Sequence, residues 1–210
     1  MIGSVKRIGR TFLIVFLGSV VVAQAAPSSK TPASIYRDNI GGIFTIHATD
    51  SGGTGFAFGA GRIATNAHVV GGSSLVEVES QDGARFKAKV VAKDVDRDFA
   101  ILEFAEGIRP FAALVPLERS GTPDIGEGVV VIGSPLGSKG TVTTGIVSQV
   151  YSNGVIQLNA SVNPGNSGGP VFDMQGRVFG IATAKFRQLT DGQSVDGLAV
   201  AIPIRWLEGR

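Results

Sequence analysis

With 210 residues, 43% of them hydrophobic and 17% charged, the chain can pack one large or two small domains, which excludes an intrinsically disordered protein. It has no cysteine, so a disulfide framework, a thiolate nucleophile and a cysteine metal site are all excluded. The formal charge of +2 does not argue for a nucleic-acid partner: Lys6, Arg7 and Arg10 lie among the first 25 residues, which hold no acid, and leave 16 cations against 17 acids beyond them.

Those first residues read as a secretory signal peptide. Three cations precede a nearly pure apolar run over residues 11–22, and Ala23-Gln24-Ala25 supplies a small-x-small cleavage site. The competing reading is an uncleaved membrane anchor, but the run of about 12 residues falls short of the roughly 20 a spanning helix needs. The expected product is exported, to the periplasm or the medium, with no stable membrane span once the signal is removed. Residues 26–39, rich in Ser, Pro and Lys, read as a spacer.

From residue 40 onward short β-like runs are broken by glycine, of which there are 30, roughly double the usual share. Residues 42–47, 55–58 and 62–65 are such runs. Leu75-Val76-Glu77-Val78-Glu79 alternates apolar and acidic side chains with the period of a half-buried strand, and residues 86–92 and 99–104 complete a first half. The alternating Arg85, Lys87 and Lys89 read as the solvent face of one strand. A strand-poor passage with Pro110, Pro116 and Pro123 then crosses to a second half of similar style, with runs at 129–132, 140–150, 155–158, 171–172, 178–183 and 198–202. Only the tail after Pro203 reads as helical. About a dozen short strands in two clusters predict an all-β pair of barrels or sandwiches.

Chemistry concentrates at three segment ends. Asn163-Pro164-Gly165-Asn166-Ser167-Gly168-Gly169-Pro170 sets one serine in a glycine-rich bend, where backbone angles closed to other residues become accessible. His68 ends an apolar run just before Gly71-Gly72. The other histidine, His47, lies within a strand run and reads as a packed or surface residue. Asp98 directly precedes the apolar run at 99–104 and is the acid best placed to be desolvated and held still. A serine nucleophile needs a base, a base needs a group that fixes its tautomer, and the attacked carbonyl needs N–H donors where negative charge develops. His68, Asp98 and Ser167, in that order, supply such a set.

The chain resembles the chymotrypsin-fold serine proteases, and more closely the HtrA/Deg group of exported bacterial proteases. The resemblance rests on Thr65-Asn66-Ala67-His68-Val69-Val70, Asp98-Phe99-Ala100-Ile101-Leu102 and Gly165-Asn166-Ser167-Gly168-Gly169-Pro170, supported by Gly53-Thr54-Gly55-Phe56, Ile132-Gly133-Ser134-Pro135-Leu136-Gly137, Thr144-Gly145-Ile146-Val147-Ser148 and Ala201-Ile202-Pro203. It implies two six-stranded β-barrels, over residues 40–122 and 123–204, with the active site in the cleft between them and a short tail at 205–210. It further implies Ser167 as nucleophile, His68 as general base and then acid, and Asp98 as its orienter. Gly165, Asn166 and Ser167 would form the oxyanion hole, the first and last through their N–H groups. Asn166 stands where digestive relatives carry the aspartate that captures a freed N-terminus, so the resemblance implies control by loop ordering rather than by cleavage. It covers residues 40–204, and no PDZ module of the HtrA type follows them in this chain.

The expected specificity pocket is lined by Ser161, Ala182, Thr183 and Leu198, with no charge, which favours cleavage after a small or medium apolar residue. Expected partners are protein or peptide substrates. A homotrimer, common in the resembling group, is left open because no residue decides it. No cofactor and no metal are expected, two histidines and scattered carboxylates forming no ligand cluster. Two other readings compete with the protease: a pseudoprotease or peptide-binding module of the same fold, and a non-enzymatic envelope β-protein. The last leaves the three segment-end residues without a role.

Overall fold

The structure is a computed structural model that describes residues 29–59, 61–104, 122–134, 140–163, 165–183 and 199–207. The expected signal peptide, most of the predicted crossing and Leu198 lie outside the described residues.

Among the described residues twelve strands form two closed antiparallel barrels. The first comprises β1 (Ile43–His47), β2 (Gly52–Phe58), β3 (Arg62–Thr65), β4 (Leu75–Glu79), β5 (Arg85–Asp94) and β6 (Phe99–Phe104), ordered β1-β2-β3-β6-β5-β4 and closed where β4 returns to β1. The second comprises β7 (Gly128–Gly133), β8 (Thr141–Val150), β9 (Ile156–Leu158), β10 (Pro170–Asp173), β11 (Val178–Thr183) and β12 (Val200–Pro203). Its circular order is β10-β11-β12-β9-β8-β7, which is the same winding as the first barrel when each is counted from its own first strand. The likeness in style between the two halves of the sequence is therefore a likeness in topology.

Burial follows the patterns expected of such strands. In β4, Val76 and Val78 point into the first barrel while Leu75, Glu77 and Glu79 face outward or sit half buried. Strand β6 is apolar nearly throughout because both its faces are covered. Ala100, Leu102 and Phe104 fill the first barrel, while Phe99 and Ile101 join a larger cluster with Val130, Ile132, Phe172, Ile181 and Ile202 of the second. That shared cluster fastens the barrels together. His47 is half exposed and pairs with Glu79 at 3.0 Å, as a surface residue does.

One expectation is corrected. Residues 32–39 are not spacer but a helix, α1 (Pro32–Asn39), starting with Pro at its first turn after the N-cap Thr31. Thr31 and Ser34 each accept from the other's backbone N–H, both at 3.2 Å, a reciprocal cap. Ile35 is fully buried in the shared cluster, and the Lys30 N–H donates to the Met174 carbonyl at 2.6 Å. The helix is too short, with one large apolar anchor, to produce a readable helical period. The predicted helical tail is a 3-10 turn, Ile204–Leu207, with Ile204 and Leu207 buried. Among the described residues no helix is long and apolar enough to cross a membrane.

Candidate active site

Three segments meet where the barrels touch. In the first, Asn66 leaves β3 in extended geometry (φ −83°, ψ 153°) and leads into the four-residue helix α2 (Ala67–Val70). Val69 and Val70 are fully buried in the first barrel and anchor α2, while the His68 side chain remains 26% exposed. Gly71 ends the helix at φ +54°, its N–H donating to the Ala67 carbonyl at 3.0 Å.

The second segment turns into β6. Asp98 has φ +52°, the only non-glycine among the described residues in the left-handed region. Aspartate enters that region more readily than most residues, yet such a conformation persists only where its surroundings hold it. Here the Asp98 carbonyl accepts from Asn66 Nδ2 at 2.9 Å, and Oδ1 accepts from the His68 backbone N–H at 3.0 Å. Both carboxylate oxygens face His68 Nδ1, Oδ1 at 3.0 Å and Oδ2 at 2.9 Å. From the second barrel, the buried Thr183 hydroxyl donates to Oδ2 at 3.3 Å.

The third segment is the serine loop. Gly165 and Gly168 have φ +99° and +90°, so the bend around Ser167 uses the freedom glycine alone has. Asn166 and Ser167 are each only 5% exposed. Asn166 Oδ1 accepts from Thr141 Oγ1 at 2.9 Å, and lies where a side chain at Gly133 would begin. The Gly168 N–H donates to the Ala182 carbonyl, and the Ala182 N–H to the Gly169 carbonyl, each at 2.8 Å. The Gly165 and Ser167 N–H groups donate to no described residue.

Strand β2 joins the serine loop to α2. A Cβ at Gly53 would lie 2.7 Å from the Ser167 carbonyl oxygen and 2.8 Å from Val69 Cγ2, so both approach the same bare glycine. No hydrogen bond joins the Ser167 hydroxyl to the imidazole among the described residues, a looseness common in unliganded sites. A cavity of about 440 Å3 opens beside His68, lined by Thr49, Asp50, Ser51, Val70 and Gly71 among others.

The structure thus brings His68 against Asp98, and carries Ser167 to the strand that packs on the histidine's helix. The four pocket residues are placed differently. Ala182 is buried and bonded by its backbone to the serine loop, Ser161 is exposed with its carbonyl accepting from Thr143 Oγ1 at 2.9 Å, and Leu198 lies outside the described residues. Thr183 is fully buried with its hydroxyl on Asp98. Thr183, expected only as a pocket residue, also holds Asp98. Two contributors have no role in the sequence reading: Asn66, which holds Asp98, and Thr54, whose N–H donates to the Ser167 carbonyl at 2.8 Å. Their only signal was membership of the short motifs around them.

Two six-stranded barrels sharing a core, with a histidine–aspartate pair in one and a serine on a glycine bend in the other, define the class of two-barrel serine peptidases. Comparison agrees. Residues 53–181 match the model of the trypsin-like peptidase domain, and the chain belongs to that family. It is 40% identical over 207 residues to the serine protease Do-like HtrA of Lactobacillus helveticus, covering 88% of this chain and 50% of that one. It is 36% identical over 154 residues to the serine endoprotease DegS of Salmonella typhimurium, covering 69% and 42%. A probable periplasmic serine endoprotease DegP-like of Brucella suis is 40% identical over 160 residues, covering 72% and 30%. The chain therefore spans half or less of these relatives. The crystal structure of the serine endoprotease from Yersinia pestis superposes with a TM-score of 0.71 at 28% identity, covering 86% of this chain and 65% of that one.

Proposed function

We propose that this protein is an exported serine endopeptidase that hydrolyses peptide bonds in misfolded or envelope proteins through an acyl-enzyme. The observation that carries the reading is the grip of Asp98 on His68. An ionised carboxylate only accepts hydrogen bonds, so two oxygens within 3.0 Å of Nδ1 place the imidazole proton there and leave the Nε2 lone pair as the base. Nε2 takes the Ser167 proton as Oγ bonds to the scissile carbonyl carbon. The resulting oxyanion is met by the Gly165 and Ser167 N–H groups, which donate to no described residue. The carbon–nitrogen bond then breaks, the imidazolium gives its proton to the departing amine, and water repeats the sequence on the ester.

The relatives' names support protease activity, and the Brucella relative's name supports a periplasmic setting. The alternative is a pseudoprotease or peptide-binding module of the same fold, favoured by the missing Ser167–His68 hydrogen bond. A fluorophosphonate probe separates the two. The proposal expects an adduct on Ser167, lost in Ser167→Ala and His68→Ala, with turnover of denatured protein lost in the same variants. A wild-type protein that takes no label with peptide substrate present is a binding module instead.

A further inference from the structure

We propose that Thr54, on the first barrel, is a positioning residue that holds the oxyanion loop of the second barrel in its working shape. The inference deepens the proposed function and rests on that reading of Gly165 and Ser167.

Thr54 is fully buried and reaches the serine loop through three of its groups. Its N–H donates to the Ser167 carbonyl at 2.8 Å. Its hydroxyl donates to the Gly165 carbonyl at 2.6 Å. Its own carbonyl lies 2.0 Å from where a Cβ at Gly168 would begin. The direction of the hydroxyl is not a choice. Oγ1 also accepts the Ser134 backbone N–H at 2.8 Å, and a backbone N–H can only donate. The hydroxyl proton is thus committed to the Gly165 carbonyl, which can only accept. The rotor is further braced because Thr65 Oγ1 donates to the Thr54 carbonyl at 2.6 Å.

These bonds decide which peptides of the loop can turn. The peptide from Gly165 to Asn166 is held at both ends, its carbonyl by Thr54 Oγ1 and its N–H by the Asn163 carbonyl at 3.0 Å. The peptide from Ser167 to Gly168 is likewise held, by the Thr54 N–H and by the Ala182 carbonyl. Between them, the Asn166 carbonyl accepts the Gly169 N–H at 3.0 Å, which sets the peptide that carries the Ser167 N–H. The two N–H groups that donate to no described residue are therefore set by their neighbours: that of Ser167 lies between two peptides that cannot rotate without breaking a bond, and that of Gly165 precedes the first of them. Gly165 and its φ of +99° are the soft point, since glycine resists rotation least. The Thr54 hydroxyl is the described group that closes that point. It is also the one side-chain bond in the described residues by which the histidine's barrel holds the Gly165 carbonyl.

The test compares Thr54→Val, which keeps the shape and removes the hydroxyl, with Thr54→Ser, which keeps the hydroxyl. An oxyanion donor is itself worth ~100- to 1,000-fold in kcat, so losing the support of one is expected to lower kcat by ~10- to 100-fold in Thr54→Val. Thr54→Ser is expected to stay within about 3-fold of wild type by the same reasoning. KM, and the affinity of Ser167→Ala for uncleaved peptide, are expected to be unmoved, while affinity for a peptide boronate, which bonds to the serine and loads the oxyanion hole, falls in step with kcat. A hydroxyl that merely stabilises the fold would lower the melting temperature and leave the boronate-to-peptide affinity ratio unchanged, and that result overturns the proposal. Thr54→Ala is the second variant if Thr54→Val does not fold; if neither folds, the hydroxyl is structural and the proposal fails. Fluorophosphonate labelling of wild type keeps the two readings apart. An unlabelled wild type refutes the peptidase reading, whereas a labelled wild type with equally labelled Thr54→Val refutes this one alone.

Discussion

Replacing Gly168 with alanine tests the close contact of the two barrels behind Ser167. Gly168 has φ +90°, where a residue with a Cβ is strained by about 1–2 kcal/mol. The added carbon would also sit 2.0 Å from the Thr54 carbonyl oxygen and 2.4 Å from Thr65 Oγ1. Neither atom can withdraw freely, since the two are hydrogen-bonded to each other at 2.6 Å and both residues are fully buried. Overpacking of that kind costs about 1–3 kcal/mol, so the expected total is about 2–5 kcal/mol. Set against the roughly 5–15 kcal/mol typical of a whole domain, the variant folds but is badly weakened. Urea unfolding followed by the fluorescence of the single tryptophan measures it, best on a Ser167→Ala background so that self-cleavage does not intrude. Gly72→Ala is the control: its φ lies outside the left-handed region and no atom lies within 4 Å of the new carbon. It should leave stability unchanged or raise it by up to about 1 kcal/mol. A Gly168→Ala loss below about 1 kcal/mol, or an equal loss in the control, refutes the reasoning.

Four further outcomes follow from the same contacts. Asp98→Asn keeps a residue that tolerates φ +52° and should fold, yet it should lower kcat by about 10,000-fold, because an amide stabilises the wrong imidazole tautomer; more than a tenth of wild-type turnover would contradict it. Ile35→Ala should cost about 2–5 kcal/mol in urea unfolding if α1 is part of the core, and a loss under about 1 kcal/mol would show it is not. Arg97, whose guanidinium lies 5.3 Å from the Trp206 ring centre, should matter little, with Arg97→Ala costing about 0.5–1 kcal/mol in the same assay. Cleavage profiling on a denatured protein mixture should show small or medium apolar residues before the scissile bond, and a strong preference for Arg or Lys there would overturn the uncharged-pocket expectation.

Much of the fold was legible because its strands bury one face or two in ways that leave a pattern. Alternation marked β4, and the run of β6, apolar at every position but Glu103, is what a strand between two cores must look like. Closure into barrels was not legible from pattern alone, because a strand's sequence carries its burial and not its partner; the pairing of β1 with β4 and of β10 with β7 joins segments far apart in the chain. Helix α1 escaped for the opposite reason. Its stability comes from a reciprocal cap and one isoleucine docked on a distant surface, neither of which leaves a period.

The site divides along the same line. His68, Asp98 and Ser167 can be picked out because the proposed chemistry restricts its residues to particular types, here at the ends of apolar runs. The residues that hold them are ordinary by type: an asparagine and two threonines, each of which could as easily serve a turn or a strand. Their meaning is positional. Asn66 could have capped α2 as an asparagine before a helix commonly does, but its side chain makes no capping bond and instead reaches the carbonyl of Asp98, 32 residues on. Thr183 reaches the same aspartate from the other barrel, 85 residues away, and Thr54 reaches Gly165 across 111. Two of these three bonds cross between barrels. A cleft assembled from two barrels needs something to set the proposed base of one against the proposed nucleophile of the other, and short, fully buried hydroxyls do this at little entropic cost because few rotamers are lost. The chemistry therefore shows in the sequence as motifs, while the alignment of that chemistry resides in threonines that only the folded pair of barrels distinguishes from any others.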